Sequence, residues 1–263
     1  MSDLVNEIFN SLLCKSDKRE GAPRTLEKKV YQIQPGCSDG LRALLCLPAE
    51  KKPARVLTLL HGAGEGPEIF WEHLDAAGLC ARGCALLLPE LGESFCLDWG
   101  EGEKRRTALL EKLLPQLRRD YGLPAARERN LVGGISMGGF AAVSLALCKP
   151  ECFCAAFSLS GALGLKKAAR LMRVCSLSAP GDLREAARRP EARLSERLAD
   201  CEKKPALYLA WGEGDWFAEE NRAFAAEARA LGYAVEARES PGLHDWAFWD
   251  QALPPALHWA ETV

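Results

Sequence analysis

The chain has 263 residues, of which 48% are apolar and 27% charged, a balance typical of a folded globular protein rather than a disordered chain or coiled coil. Its 34 basic and 36 acidic side chains give a net charge of −2, so no overall positive field favours nucleic acid or an anionic membrane. No uncharged apolar stretch approaches the roughly 20 residues that span a bilayer, which predicts no stable membrane insertion. The length suits one layered α/β domain.

Eleven cysteines are scattered through the chain, mostly inside apolar runs. Their odd number in a chain of this length argues against a disulfide framework, and a cysteine in an apolar run behaves as a small buried hydrophobe. Cys152 and Cys154 are closely spaced, but no second Cys or His pair stands at zinc-site spacing. We therefore expect reduced core thiols and no metal site.

Residues 1–20 place apolar side chains at helical spacing and predict an amphipathic helix, which a charged connector to residue 28 follows. We expect its apolar stripe to pack on the body of the same chain; a homodimer contact and a membrane surface are the alternatives. This segment contains Asp3 and Glu7 and lacks the basic region and cleavage site of a signal peptide, which predicts a cytoplasmic location.

Strands and helices are predicted to alternate from residue 29 onward. Short apolar runs between turn residues predict strands, and longer periodic segments predict helices. In chain order, the first part contains strands over residues 30–34, 41–47 and 55–60, a helix over 72–82, a strand over 84–88, and a helix over 103–121 that Pro115 could kink. The first two strands are candidates for an antiparallel hairpin at the sheet edge.

The second part of the chain continues the alternation, with one interruption. It contains a strand over residues 130–134, a helix over 138–149, strands over 154–159 and 206–211, a helix over 218–231, a strand over 233–239 and a helix over 246–262. The pattern predicts one α/β domain over residues 29–263, with a mostly parallel sheet and helices on both faces. Residues 163–204 are basic and helix-forming, and we expect a small cap insertion with a solvated basic face.

A G-x-S-x-G motif centred on Ser136 follows a predicted strand and precedes a predicted helix. A serine at so sharp a turn takes a strained backbone conformation that exposes its hydroxyl, and small flanking residues let the chain turn without clashing. The alternative is a glycine-rich turn that only packs closely. The strand–turn–helix context favours a nucleophile.

A serine nucleophile needs a base to accept its proton and an acid to orient that base. The expected chain order is nucleophile, acid and then histidine, so only the two histidines after Ser136 qualify. Of these, His244 lies in a loop after the last predicted strand, and His258 lies inside the final helix. We expect His244 to be the base. The expected acid is Asp215, directly after a strand; its competitors are Glu213 in the same turn and Asp245 beside the histidine.

An ester hydrolysed in this way also needs backbone donors for the oxyanion. These normally come from the residue after the nucleophile and from the loop after an earlier buried strand, positions that Met137 and Ala63 occupy. Gly64 is the second choice in that loop. His61 is expected to be a structural hydrogen-bonding residue.

Five segments in the same order make the chain resemble the α/β-hydrolase superfamily, and within it the esterase group that includes esterase D and the bacterial tributyrin and feruloyl esterases. They are residues 59–62, 134–142, 157–162, 211–215 and 242–250. The resemblance implies the α/β-hydrolase fold, the triad Ser136, Asp215 and His244, oxyanion donors at Ala63 and Met137, and ester or thioester hydrolysis without a metal or organic cofactor. The N-terminal helix and the basic insertion depart from the group, so its substrates are not carried over.

Taken together, the residues predict a serine carboxylesterase that hydrolyses short-chain acyl or aryl esters of small molecules through an acyl-enzyme. A transferase, thioesterase or peptidase with the same triad is the alternative, because the acceptor site separates these activities. A non-catalytic binding protein of this fold is disfavoured because no triad member has been lost. The candidates for an apolar pocket, each of which could equally belong to the core, are Trp71, Trp99, Phe140, Trp216 and Trp246.

Overall fold

The computed structural model describes residues 40–48, 52–100 and 102–263. The predicted N-terminal helix and the predicted strand over residues 30–34 lie outside this part. Nine strands occur within it: β1 (Ala43–Cys46), β2 (Arg55–Leu60), β3 (Cys84–Pro89), β4 (Asp98–Trp99), β5 (Glu103–Lys104), β6 (Asn130–Ile135), β7 (Ala155–Leu159), β8 (Ala206–Gly212) and β9 (Val235–Ser240).

Seven of these strands form one sheet in the spatial order β1-β3-β2-β6-β7-β8-β9, and β4 pairs with β5 in a separate ribbon. Strand β1 runs antiparallel to β3, and every other pair in the large sheet is parallel. This topology confirms the predicted mostly parallel sheet. It also brings the carboxyl ends of β2, β6, β7 and β8 to one edge, where loops of the parallel strands can meet.

The helices cover both faces of the sheet. They are α1 (Phe70–His73), α2 (Ala76–Ala81), α3 (Arg105–Thr107), α4 (Leu114–Tyr121), α5 (Met137–Cys148), α6 (Leu165–Val174), α7 (Leu183–Ala186), α8 (Leu194–Asp200), α9 (Ala218–Ala230) and α10 (Trp246–Thr262). None of them is long and apolar enough to cross a membrane. Alternate side chains of β2 pack into two cores: Val56 and Leu60 belong to one, and Leu57 and Leu59 to the other.

Two predicted helices are interrupted. The segment predicted over residues 72–82 is two short helices, because the side chain of Asp75 accepts a hydrogen bond from the N–H of Gly78 and starts α2 anew. The helix predicted over residues 103–121 widens into a π-helical stretch (Ala108–Leu113) between α3 and α4. Pro115 lies just after it; a proline has no N–H for the carbonyl four residues earlier and its ring crowds that carbonyl, so a wider turn relieves the clash.

The segment over residues 163–204, predicted as an insertion, contains helices α6, α7 and α8 between β7 and β8. Helix α8 packs against α5 and α9 on one face of the sheet. The amphipathic α6 instead buries Leu165, Ala168 and Met172 near the carboxyl edge of the sheet. The nine cysteines within the described residues are all free thiols.

Candidate active site

Ser136 lies at the sharp turn between β6 and α5, with φ 54° and ψ −112°. This left-handed backbone is strained for any residue other than glycine, and it persists only where the surroundings impose it. A Cβ atom on Gly138 would lie 2.0 Å from the carbonyl oxygen of Leu60, and one on Gly134 would lie 2.4 Å from the backbone of Gly138. The two glycines therefore let β2, β6 and α5 approach closely enough to hold the serine in this conformation.

His244 joins Ser136 to Asp215 across the carboxyl edge of the sheet. Its Nε2 lies 2.8 Å from Oγ of Ser136, and its Nδ1 lies 3.0 Å from Oδ2 of Asp215. The histidine loop is fixed to the acid loop by backbone hydrogen bonds of 2.9 and 3.0 Å, from Glu213 to Ser240 and from Gly214 to Gly242. The structure thus brings together the three residues that the sequence singles out as nucleophile, base and acid.

The competing residues lie in other environments. His258 is exposed on α10, and Glu213 is exposed beside Asp215. Asp245 caps the amino terminus of α10, where its Oδ1 accepts a 3.0 Å hydrogen bond from the N–H of Phe248. Asp215 is the carboxylate that contacts the histidine.

The carboxylate of Asp215 is buried and held by several donors. Oδ1 accepts a 2.7 Å hydrogen bond from the N–H of Phe217, and the hydroxyl of Ser160 also bonds to the carboxylate. Ser160 in turn accepts a 2.9 Å hydrogen bond from the indole N–H of Trp249. Burial alone would raise the pKa of Asp215, but the hydrogen bond and charge of His244, with the bonds from Ser160 and Phe217, outweigh it and lower that pKa.

The loop after β2 lies beside Ser136 and contains the predicted oxyanion donor Ala63. Ala63 and Met137 both line the cavity around Ser136. The N–H of Met137 is in the first turn of α5, where backbone donors have no acceptor four residues earlier in the helix. Gly64, the second-choice donor, instead directs its N–H to Oε1 of Glu93 at 3.3 Å.

His61 fixes the start of this loop. Its ring is buried, its Nε2 accepts a 2.9 Å hydrogen bond from the N–H of Leu91, and its Nδ1 lies 2.8 Å from the carbonyl oxygen of Gly62. An imidazole nitrogen that accepts an N–H carries no proton, so the ring is neutral and donates through Nδ1. These contacts agree with the structural role expected for His61.

A cavity of about 300 Å³ opens onto Ser136 and His244. This volume is at the small end of the range for ligand sites. Its walls are mainly apolar, and α6 supplies Ala168, Leu171 and Met172. The segment over residues 163–204 therefore contributes one wall of the site through the apolar face of its first helix.

Only two of the five aromatic candidates line this cavity. Trp216 stacks on His244 with ring centroids 5.0 Å apart, and Trp246 forms another part of the wall. Phe140 is fully buried beneath the turn at Ser136, and Trp99 is buried with its indole N–H bonded to a backbone carbonyl. Trp71 packs against the core on the other face of the sheet. Phe140 and Trp99 therefore belong to the core, and Trp71 packs against it.

Glu65 is a cavity residue that the sequence analysis did not single out. Its Oε1 accepts a 2.6 Å hydrogen bond from the indole N–H of Trp246, and its Oε2 accepts a 3.2 Å bond from the N–H of Gly62. Burial raises the pKa of its carboxyl despite these two donors. Its position two residues after Ala63, in a loop already assigned to the site, is the feature that could have identified it.

Known esterases resemble this chain in sequence. Residues 100–260 match the family model described as "Putative esterase". An acetyl esterase of Caldicellulosiruptor saccharolyticus is 27% identical over 192 residues, which cover 68% of this chain and 72% of that protein.

Solved structures show the same fold. Fluorophosphonate-binding serine hydrolase F of Staphylococcus aureus has a TM-score of 0.72 at 21% identity, covering 87% of this chain and 95% of that one. An S-formylglutathione hydrolase of Staphylococcus aureus has a TM-score of 0.69 at 22% identity, covering 83% and 92%. With a family match over more than half of the sequence, the chain belongs to the "Putative esterase" family and is a carboxylic ester hydrolase with the α/β-hydrolase fold.

Proposed function

We propose that the protein is a serine carboxylesterase in which Ser136 is the nucleophile, His244 the general base and Asp215 the acid that orients the histidine. The observation that carries this proposal is the pair of hydrogen bonds, 2.8 and 3.0 Å long, that join the three side chains in that order. The strained turn at Ser136 supports it, because such strain accumulates where the chain must present a reactive group.

In the first half of the reaction, Oγ of Ser136 attacks the ester carbonyl carbon while its proton passes to Nε2 of His244. The carbonyl oxygen becomes an oxyanion, which the N–H groups of Ala63 and Met137 would stabilise. The carbon–oxygen bond to the alcohol then breaks, and the histidine returns the proton to the departing alcohol. The acyl group is left on the serine.

In the second half, a water molecule takes the place of the alcohol. His244 accepts a proton from the water as its oxygen attacks the acyl carbon, and returns that proton to Oγ of Ser136 as the carboxylic acid leaves. Asp215 keeps the imidazole in the required tautomer and stabilises the imidazolium that forms in each half. The lowered pKa of Asp215 supports this role, since an orienting carboxylate must stay ionised.

The size and chemistry of the cavity support short acyl or aryl esters as substrates. About 300 Å³ of mainly apolar space accommodates a small ester, but not a long acyl chain in addition to its alcohol. Trp216, stacked on His244, gives an apolar and flat wall beside the reacting atoms. The acetyl esterase relative supports the same range of substrates for this chain.

Covalent labelling tests the assignment of the nucleophile. Wild-type protein treated with a fluorophosphonate should gain the mass of one phosphonyl group, located on the peptide that contains Ser136. The Ser136→Ala variant should gain none, and the Ser158→Ala variant, which alters a buried serine of the neighbouring strand, should be labelled like wild type. A label on another residue, or equal labelling of Ser136→Ala, would contradict the assignment.

Hydrolysis of p-nitrophenyl esters from acetate to decanoate tests the substrate range. We expect kcat/KM to be highest among the short esters and to fall steeply toward decanoate, because the cavity cannot hold the longer chain. Hydrolysis of matched thioesters and amides in the same series separates an esterase from a thioesterase or peptidase. A preference for amides, or an unchanged rate at decanoate, would contradict the proposed substrates.

A further inference from the structure

Glu65 places a carboxyl group inside an otherwise mainly apolar cavity. Both of its oxygens accept hydrogen bonds from neutral donors, the indole N–H of Trp246 and the backbone N–H of Gly62. An ionised carboxylate only accepts hydrogen bonds, so the two N–H donors suit the ionised form of Glu65, whereas burial disfavours its charge. A positive group beside the carboxyl would offset the cost of burial and strongly favour the ionised form.

No Lys or Arg side chain in the described residues forms an ion pair with Glu65, and the two nearby histidines are engaged elsewhere. His61 is held neutral by the N–H of Leu91 that its Nε2 accepts. His73 bonds through Nδ1 to Asp250 at 2.6 Å. Buried carboxylates are usually paired with a cation. The two groups that bond directly to the carboxyl are neutral, and the more distant His61 and His73 do not offset its burial, which leaves a directly bonded cation to be supplied by what enters the cavity.

The carboxylate is also close to the nucleophile. A methyl group on Gly62 would lie 2.9 Å from Oε2 of Glu65 and 3.8 Å from Cβ of Ser136, so the two side chains flank the same backbone position. A substrate whose carbonyl carbon contacts Ser136 would have its neighbouring atoms next to Glu65. The carboxylate can therefore discriminate between groups only a few bonds from the scissile ester.

We infer that Glu65 is a specificity-determining residue that selects esters carrying a protonated amine close to the scissile bond. The inference rests on the proposed function, since it requires the ester to react at Ser136. Ammonium and carboxylate form a charge-assisted hydrogen bond in a cavity of low polarity, where such a bond is worth more than in water. A neutral ester of the same shape would leave the carboxyl without that partner.

Two isosteric pairs of esters test this inference. Dimethylaminoethyl acetate and isopentyl acetate differ by a cation on the alcohol side, and β-alanine methyl ester and methyl butanoate differ by a cation on the acyl side. We expect wild-type kcat/KM to favour the cationic member of at least one pair by about tenfold or more, the effect of one hydrogen bond between charged groups. The wild-type comparison requires no variant to fold.

The Glu65→Gln variant assigns that preference to the carboxylate. In this variant, the ratio of kcat/KM between cationic and neutral esters should fall to about one. The control is Glu93→Gln, which removes an acid bonded to Gly64 of the same loop and should keep the wild-type ratio. Equal rates within both pairs in wild type, or a ratio that Glu65→Gln leaves unchanged, would overturn the inference. Ser136-dependent hydrolysis of the neutral esters would then still support the proposed function, and its absence would overturn that function as well.

Discussion

The indole N–H of Trp249 donates a 2.9 Å hydrogen bond to Oγ of Ser160, directly behind the carboxylate of Asp215. A serine hydroxyl has one proton, so a hydroxyl that accepts from the indole directs that proton to the carboxylate. Ser160 is fully buried and has φ 51°, a backbone conformation that the surrounding structure must impose. Ser160 is thus a positioning residue for Asp215, acting through a side chain that itself contacts His244.

Replacing Ser160 by Ala should lower kcat by about tenfold or more with little change in KM. The reason is that Asp215 loses a hydrogen bond, and such a bond to a charged group contributes about 1.5–3 kcal/mol. The pH dependence of kcat should also shift, because Asp215 loses a hydrogen bond that helps to lower its pKa. Steady-state kinetics from about pH 5 to pH 9 measure both effects.

Ser158→Ala is the matched control for this prediction. Ser158 lies two residues earlier, on β7, and is likewise fully buried, and its Oγ has no hydrogen-bond partner among the described residues. Its loss should therefore leave the pH profile as in wild type. If both alanine variants lowered kcat equally and with unchanged pH profiles, Ser160 would be a packing residue only.

The Gly138→Ala variant should be destabilised by about 3 kcal/mol and lose most of its esterase activity. The added Cβ would lie 2.0 Å from the carbonyl oxygen of Leu60, a backbone atom that can move only if β2 moves. Gly102→Ala is a suitable control, since its Cβ would have its nearest neighbour at 3.8 Å. Urea unfolding measures the difference; equal stability of the two variants would mean that the turn tolerates a side chain.

The strands could be predicted, and the three residues that meet at the carboxyl edge could be singled out, because both depend on local patterns. Buried parallel strands read as apolar runs, and the turn at Ser136 requires glycines at fixed positions. Strand β2 and helix α10 have the predicted bounds, and the other predicted elements within the described residues differ mostly at their ends. The sequence pattern does not indicate the break at Asp75, because a single capping side chain decides it within an otherwise helical pattern.

The cavity walls could not be predicted in the same way, because they depend on which elements meet. Phe140 and Trp216 are both large aromatic residues close to a predicted strand end, yet Phe140 is in the core and Trp216 lines the cavity. Glu65 and Ser160 gain their roles from contacts with α10, a helix that begins about 180 and 90 residues later in the chain. Long-range packing of this kind leaves no local pattern.

Glu65 should make the stability of the protein depend on pH in a defined direction. Burial raises the pKa of its carboxyl in the folded protein, so between the unfolded and folded pKa values the folded state binds more protons. Its contribution to stability is fully present below the unfolded pKa and is lost as the pH rises through the folded pKa. The unfolding free energy of Glu65→Gln minus that of wild type should therefore be larger at about pH 8 than at about pH 4.

Urea unfolding at both pH values measures this change. The other titratable groups near Glu65 are His61 and His73, with His244 and Asp245 also lining the cavity, and they are the same in both proteins. The comparison therefore isolates the carboxyl. A difference in unfolding free energy that is the same at both pH values would show that Glu65 has an ordinary pKa.

The most direct test of the proposed mechanism is the hydrolysis of p-nitrophenyl acetate by wild type and by Ser136→Ala, with the fold of both proteins verified by circular dichroism. Removing the nucleophile of such a triad should lower kcat by at least about 10⁴-fold, and by as much as 10⁶-fold. That loss, in a variant that is folded like wild type, is the predicted result. Activity of Ser136→Ala within tenfold of wild type would contradict a mechanism that proceeds through an acyl group on Ser136.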